Sequence, residues 1–427
     1  MQKQEAAALL ARFWGSSRYD AVWCLTDEGP LQVLDETLSR LSGRHFILAA
    51  QITETGFGIR AASSGALRQD NLVAAVADRT ETEALFSAAA DYFQAVKIRL
   101  PEGKTFTPSE LVRLFPPRPV TRLGTILEPV PAHDWESRYV LNPGAVRLAG
   151  SVYLFYRAVG QDGISRIGLA ETDGLTVLRR WPEPVFSPES PEEAQGCEDP
   201  RLTVIEDRIW MLYTAYDGHL AQIAAASLPL ADFRQGRFRW RREGLVFEGV
   251  WDKDAVLFPE RLNGSYVLYH RLEPSIWIHR LPQLRFPCRM QPARLLHPRF
   301  SHWDSKKIGA GAPPLKTRFG WLLFYHGVDE AHVYRLGVLL LALQNPGRVL
   351  YRSPDPVLEP ETPAERGEGG DWVPNVVFTC GAVPETDKEI LDAEDGILLY
   401  YGAADSRILA ARTTVGALIP KEYLSAP

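Results

Sequence analysis

Five segments of this chain share one pattern, an apolar and aromatic run that closes on tyrosine: SVYLFYRA, RIWMLYTA, GSYVLYHR, GWLLFYHG and GILLYYGA. Their closing residues, Tyr156, Tyr213, Tyr269, Tyr325 and Tyr401, stand 57, 56, 56 and 76 residues apart. A near-constant period of this length means one structural unit copied along the chain, each copy burying its apolar faces against its neighbours. Every copy also has an earlier β-type segment (GAVRL, RLTVI, AVLFPERL, PPLKT, NVVFTCGAV) and a later one (SRIGLAE, AQIAAAS, PSIWIHR, VYRLGVLLL, SRILAAR). Turn residues such as Ala149-Gly150, Glu206-Asp207 and Asn263-Gly264 join the first two.

Three strands joined by tight turns, with a more variable fourth, make an antiparallel blade. Five blades around an axis make a five-bladed β-propeller, which leaves only short, protected sheet edges. A long β-sandwich would not explain the constancy of the period. The expected fold is therefore mainly β, with the propeller over residues 126–427 and a small α+β domain over residues 1–125. In that domain Ala6, Leu9, Leu10, Phe13 and Trp14 recur at helical spacing, residues 85–96 form a second amphipathic stretch, and HFILAAQITETGFGIRAAS reads as a strand pair. The closely spaced Pro116, Pro117, Pro119, Pro129 and Pro131 mark the expected linker.

Charge narrows the partners. Lys+Arg 47 against Asp+Glu 53 gives a net charge of −6, so no broad positive field exists to hold nucleic acid or an anionic bilayer. The longest apolar run, residues 338–343, is far too short for a membrane span. The amino terminus lacks the apolar core of a secretory signal, and Cys24, Cys197, Cys288 and Cys380 have no paired spacing. A cytoplasmic protein with reduced thiols is expected.

A propeller also says where chemistry can sit. The innermost strand of each blade starts at one mouth of the channel and the second strand returns to it. The first-strand starts are Asn142-Pro143, the run Glu198-Asp199-Pro200-Arg201, Lys253-Asp254, residues 309–314 and Pro374-Asn375; the second-strand ends are Arg157, Tyr216-Asp217, His270-Arg271, His326 and Asp405. One mouth is thus lined by Asp199, Asp254, Asp405, Arg157, Arg201, Lys253, Arg271 and His326. Carboxylates accept hydrogen bonds from sugar hydroxyls, while Arg offers a planar fork and Lys a point charge to phosphate. Trp251, Trp303 and Tyr216 can cover the apolar face of a pyranose. The inventory points to sugar plus phosphate.

The stretches GCEDPRL (196–202), WDKDAVLFPE (251–260), HWDSKKIGAGAPPLKTRFGWLLFYHGV (302–328) and YYGAAD (400–405) resemble glycoside hydrolase family 130, the five-bladed mannoside phosphorylases and β-mannosidases. The resemblance runs from about residue 133 to about 415 and implies an inverting enzyme on β-mannosides. It makes Asp199 the general acid, acting through the mannosyl 3-hydroxyl, with phosphate attacking the opposite face to release α-mannose 1-phosphate. It implies Arg157, Arg201, Lys253, His326 and Tyr334 for phosphate, and Asn142, Asp254, Asp304 and Asp405 for the mannosyl unit. Phosphate is then a co-substrate, and neither a cofactor nor a metal is expected: His297 and His302 lack the spacing of a zinc pair. Cys197, beside the acid, reads as a small buried neighbour. An inverting β-mannosidase using water and a glycan-binding propeller without turnover are the alternatives. The EPSIWIHRLPQL segment departs from the family pattern, so acceptor specificity does not carry over. The amino-terminal domain is read either as a cover for the acceptor side or as a contact for a homo-oligomer.

Overall fold

The structure, a computed structural model, describes residues 119–424 except Pro292, together with the strands Phe46–Thr53, Gly56–Ser63 and Leu72–Val76. Those three strands form an antiparallel sheet in chain order, the first two being the expected pair. The helical stretches expected at residues 6–14 and 85–96 lie outside the described residues. The chain divides into two compact units between Arg118 and Pro119.

The second unit is a ring of five antiparallel blades. The first blade comprises Tyr139–Leu148, Ser151–Val159, Ser165–Thr172 and Val177–Arg180; the second comprises Gly196–Ile205, Arg208–Tyr216, Ala221–Pro229 and Arg241–Leu245. The third comprises Lys253–Leu257, Tyr266–Leu272, Ser275–Leu281 and Ala293–Leu296. In the fourth, Lys307–Ala310 and Leu315–Thr317 share the inner position beside Gly320–Val328, followed by Tyr334–Leu341 and Val349–Arg352. Val377–Pro384, Gly396–Ala403 and Arg407–Thr414 build the fifth, whose outer strand is Val120–Leu127, paired antiparallel with Arg407–Thr414. The proline-flanked segment expected to be a linker is therefore partly sheet. Its prolines frame the strand without interrupting it, which is how a strand at a sheet edge tolerates them.

The period-two alternation of a strand explains the apolar runs. In the second strand of the first blade, Val152, Leu154, Tyr156 and Ala158 pack toward the fifth blade, while Phe155 packs toward the second. Strands buried on both faces read as continuous hydrophobic runs. The same division repeats at every blade boundary, so five cores alternate with five sheets around the ring. Inner strands approach so closely that a Cβ on Gly144 would sit 2.3 Å from the Pro200 carbonyl oxygen, and one on Gly381 would sit 2.6 Å from that of Pro143.

The closing tyrosines have a specific task. Tyr156 donates to Glu136 (2.8 Å), Tyr213 to Glu193 (2.5 Å), Tyr325 to Asp304 (2.9 Å) and Tyr401 to Glu365 (2.8 Å). Each carboxylate is also paired with an arginine of its blade's outer strand: Arg180, Arg242, Arg352 and Arg122 respectively. These four clamps tie the second and outer strands of a blade to the segment before its inner strand or, in the fifth, to the Pro363–Arg366 helix, each buried carboxylate meeting both a hydroxyl and a guanidinium. The third blade departs from them. Its Tyr269 donates instead to the Pro346 carbonyl, and the clamp position falls one residue later, on His270, which meets Asp252 at 2.6 Å.

Candidate active site

Inner strands of the first three blades carry the same irregularity. In each, two residues oppose one on the second strand: Asn142 and Pro143 opposite Tyr156, Asp199 and Pro200 opposite Tyr213, Asp254 and Ala255 opposite His270. Such a bulge bends the strand and re-aims a side chain. The first residue of each pair is left-handed, with φ of 47° at Asn142, 51° at Asp199 and 58° at Asp254. Asn and Asp enter this region more readily than other residues that carry a side chain, yet strain of order 1–3 kcal/mol remains at each. Equivalent strain at three places around one axis marks the end of the ring where side chains are aimed.

Two linked clusters result. In the first, Asn142 Nδ2 donates to Asp199 Oδ1 (2.9 Å) and Arg157 Nη1 approaches the same oxygen at 3.5 Å. Arg157 Nη2 lies 2.8 Å from Glu198 Oε1, and Lys253 Nζ lies 3.0 Å from Glu198 Oε2. One carboxylate thus bridges the two cations. In the second cluster Asp254 is the hub: Oδ1 accepts from Arg201 Nη2 (2.8 Å), and Oδ2 meets Arg271 Nη1 (2.7 Å) and His326 Nε2 (3.3 Å). Arg201 joins the clusters, because its Nη1 also donates to the Asp199 carbonyl at 3.3 Å.

Charge follows from this geometry. Burial opposes ionisation of Asp199, but Arg157, Arg201 and Lys253, with the Asn142 hydrogen bond, outweigh it and hold the carboxyl below its usual range. Burial also opposes ionisation of Asp254, and Arg271, His326 and Arg201 hold it well below. His326 is pushed down by burial against the pull of Asp254, so it is neutral near pH 7. Asp405 goes the other way. Burial lifts it to about 7, Arg157 opposes the rise, and the carboxylates of Asp199 and Glu198 add to it. Asn142 Oδ1, Arg271 Nε and His326 Nδ1 are buried without a protein partner, which leaves hydrogen-bonding capacity for a ligand here.

The structure brings together Asn142, Arg157, Asp199, Lys253 and Asp405, and beneath them Arg201, Asp254, Arg271 and His326. Tyr334 joins at the edge, its ring 6.1 Å from that of His326 and 5.7 Å from Lys307 Nζ. Two expected residues lie elsewhere. Asp304 is the clamp carboxylate of the fourth blade, fully buried, with both oxygens engaged by protein: Oδ1 by Arg299 and Oδ2 by Arg299, Arg352 and Tyr325. Trp303 packs on Tyr325 with ring centroids 5.5 Å apart and donates to the Pro354 carbonyl. In their place Trp372 stacks on Tyr139 at 4.8 Å, lies 5.4 Å from the Arg157 guanidinium, and stays 42% exposed, an aromatic platform beside the cations. Glu198 and Trp372 were missed by sequence reasoning. Glu198 stood within the EDPR tetrapeptide, whereas Trp372 belongs to a loop with no counterpart in the other repeats.

The family model described as beta-1,4-mannooligosaccharide phosphorylase, that of glycoside hydrolase family 130, matches residues 123–420. A beta-1,2-mannobiose phosphorylase of Thermoanaerobacter sp. is 37% identical over 309 residues, covering 68% of this chain and 95% of its own. A 1,2-beta-oligomannan phosphorylase from the same organism is 38% identical over 295 residues, covering 66% and 92%. Among solved structures, a putative glycoside hydrolase of Bacteroides ovatus superposes with a TM-score of 0.61 at 26% identity, over 71% of this chain and 98% of that one. With its matched region spanning the whole ring of blades, the chain belongs to glycoside hydrolase family 130.

Proposed function

We propose that this enzyme cleaves β-linked mannosides with inorganic phosphate, inverting the anomeric centre to release α-mannose 1-phosphate, and that β-1,2-linked mannosides are its substrates. The observation that carries the reading is the pairing of Arg157 and Lys253 on one carboxylate, 2.8 and 3.0 Å away, immediately beside Asp199. Two cations converging on one oxyanion next to a carboxyl are what an in-line attack by phosphate requires. The linkage is supported by the names of the two Thermoanaerobacter relatives.

The residues divide the work. Phosphate displaces Glu198 from Arg157 and Lys253, and His326 Nδ1 and the Tyr334 hydroxyl complete its cradle. Each nitrogen of Arg201 donates to protein, to the Gly311 and Asp199 carbonyls and to Asp254, so it fixes the hub on which Arg271 and His326 rest. Asn142 and Asp405 meet mannosyl hydroxyls, and Trp372 with Tyr139 covers the apolar face of a sugar. Asp199 supplies the proton to the leaving oxygen. An inverting hydrolase needs a second, ionised carboxylate to activate water. Here Glu198 has both oxygens occupied by cations, which favours phosphate over water as nucleophile. The free, buried thiols of Cys197 and Cys380 suit the reducing cytoplasm.

The test is a product assay on β-1,2- and β-1,4-mannobiose with and without phosphate. Sugar 1-phosphate from the β-1,2 substrate, only when phosphate is present, is expected; free mannose released at the same rate without phosphate would overturn the reading.

A further inference from the structure

Three carboxyl groups stand at the outer cluster with two cations. Glu198 spends one oxygen on Arg157 and one on Lys253, and Asp199 is held by Asn142 and Arg157. The other guanidinium groups, Arg201 and Arg271, are engaged by Asp254. Asp405 makes neither a hydrogen bond nor an ion pair with any described residue, although it lies within the field of Arg157, Asp199, Glu198 and Lys253. The neighbouring cation on its own blade, Arg407, is paired with Asp371 at 2.7 Å. A cluster of carboxyls that outnumbers its hydrogen-bonded cations retains a proton, and the proton resides on the member with the fewest compensating donors.

We propose that Asp405 stores, in the free enzyme, the proton that Asp199 later delivers, and that phosphate binding triggers its transfer. The inference rests on the phosphorylase reading. When the phosphate dianion takes Arg157 and Lys253, those cations no longer hold Asp199 ionised. Asp405 makes no direct hydrogen bond to Asp199, so the transfer runs through an intervening water: the Asp405 O–H bond breaks as the water accepts that proton, the water gives one of its own to a carboxylate oxygen of Asp199, and Asp405 is left as the anion. Asp199 then passes the proton to the glycosidic oxygen as the C1–O bond breaks and a phosphate oxygen bonds to C1. Hydrogen phosphate carried a proton of its own, and the phosphomonoester loses it to Asp405, so the cycle closes with atoms and charge balanced. Separated carboxyl environments, one favouring the anion and one the acid, are the arrangement that assigns proton donor and acceptor roles in other carboxylate pairs. Here burial lifts Asp405 to about 7 while the cations pull Asp199 down.

The experiment counts protons on anion binding by calorimetry in buffers of different ionisation enthalpy. Sulfate is the probe because it does not titrate near neutrality, and inorganic phosphate is run in parallel. At about pH 6.5, below the value set by burial of Asp405, sulfate should bind the wild type with no net proton exchange. Asp405→Asn should take up about one proton per sulfate, because Asp199 must then draw it from solvent. Asp405→Glu should restore the wild-type count, and Asp199→Asn in the Asp405→Asn background should abolish the uptake. A merely structural role for Asp405 would alter affinity without altering the count. Equal counts in wild type and Asp405→Asn overturn the proton assignment alone. Failure of the wild type to bind phosphate overturns the phosphorylase reading and this inference with it.

Discussion

The four clamp carboxylates, Glu136, Glu193, Asp304 and Glu365, and the mouth carboxylates Glu198 and Asp199 are buried, and Asp405 beside them is partly so, yet clamp and mouth do opposite things. A clamp carboxylate sits on ordinary backbone and meets one tyrosine hydroxyl and at least one arginine. At the mouth Asp199 and Asp405 occupy left-handed backbone, and the acids share cations that a substrate can take away. Complete compensation makes a buried acid a fastener; incomplete, exchangeable compensation leaves it able to move a proton. Side-chain type alone does not distinguish them.

The contrast can be broken at several points. Asp199→Asn should reduce turnover by roughly 10³-fold or more, at the scale of a lost general acid, while the chain still folds; turnover near wild type would remove Asp199 from the chemistry. Asp304→Asn should do the reverse. It leaves the part-buried Arg299 and Arg352 without their charged partner and should lower unfolding stability by up to about 3 kcal/mol, with kcat per folded molecule intact. A selective loss of kcat would return Asp304 to the site. Lys253→Ala should raise KM for phosphate by about 10–100-fold, the equivalent of one charged hydrogen bond, with less effect on mannoside KM.

The smallest expected effect is on stability against pH. Asp405 titrates at about 7 when folded and near the ordinary aspartate range of about 3.9 when unfolded. Between those values the native state binds more protons, so this group's contribution is full below about pH 4 and is lost as pH rises through about 7. Asp405→Asn should therefore gain about 2–4 °C in melting temperature over wild type on going from pH 5 to pH 8. Asp254 has the opposite sign: its depressed value contributes stability above about pH 4 that is lost on acidification. An unchanged difference between Asp405→Asn and wild type across this range would contradict the Asp405 assignment.

Much of this architecture was legible in the sequence because burial on both faces forces long apolar runs, and five of them at one spacing leave few alternatives. The mouth followed from where strands start and end, which placed Asn142, Arg157, Asp199, Lys253 and Asp405 together. Asp304 was misplaced because a motif carries neighbours of unlike purpose: in HWDSKK the aspartate points to Tyr325, not to the axis. A signal for its real task was present, since Glu136, Glu193 and Asp304 precede their tyrosines by 20, 20 and 21 residues. Glu365 hid at 36 residues because the fifth repeat is longer. Tyr269 matched the others in spelling but is shifted by one residue, a register that becomes visible only through the bulge opposite His270. The strand Val120–Leu127 escaped notice because its pairing partner lies nearly the full ring away in sequence.

That pairing has a consequence for how the molecule is made. Val120–Leu127 is synthesised long before the strand that receives it, Arg407–Thr414, because the other strands of the ring lie between them in sequence. Four blades can assemble in order of synthesis, while the fifth waits for both ends of the ring and carries its slowest loop closure. Until then an unpaired edge is exposed to other nascent chains, and a truncation before Arg407 would strand it there permanently.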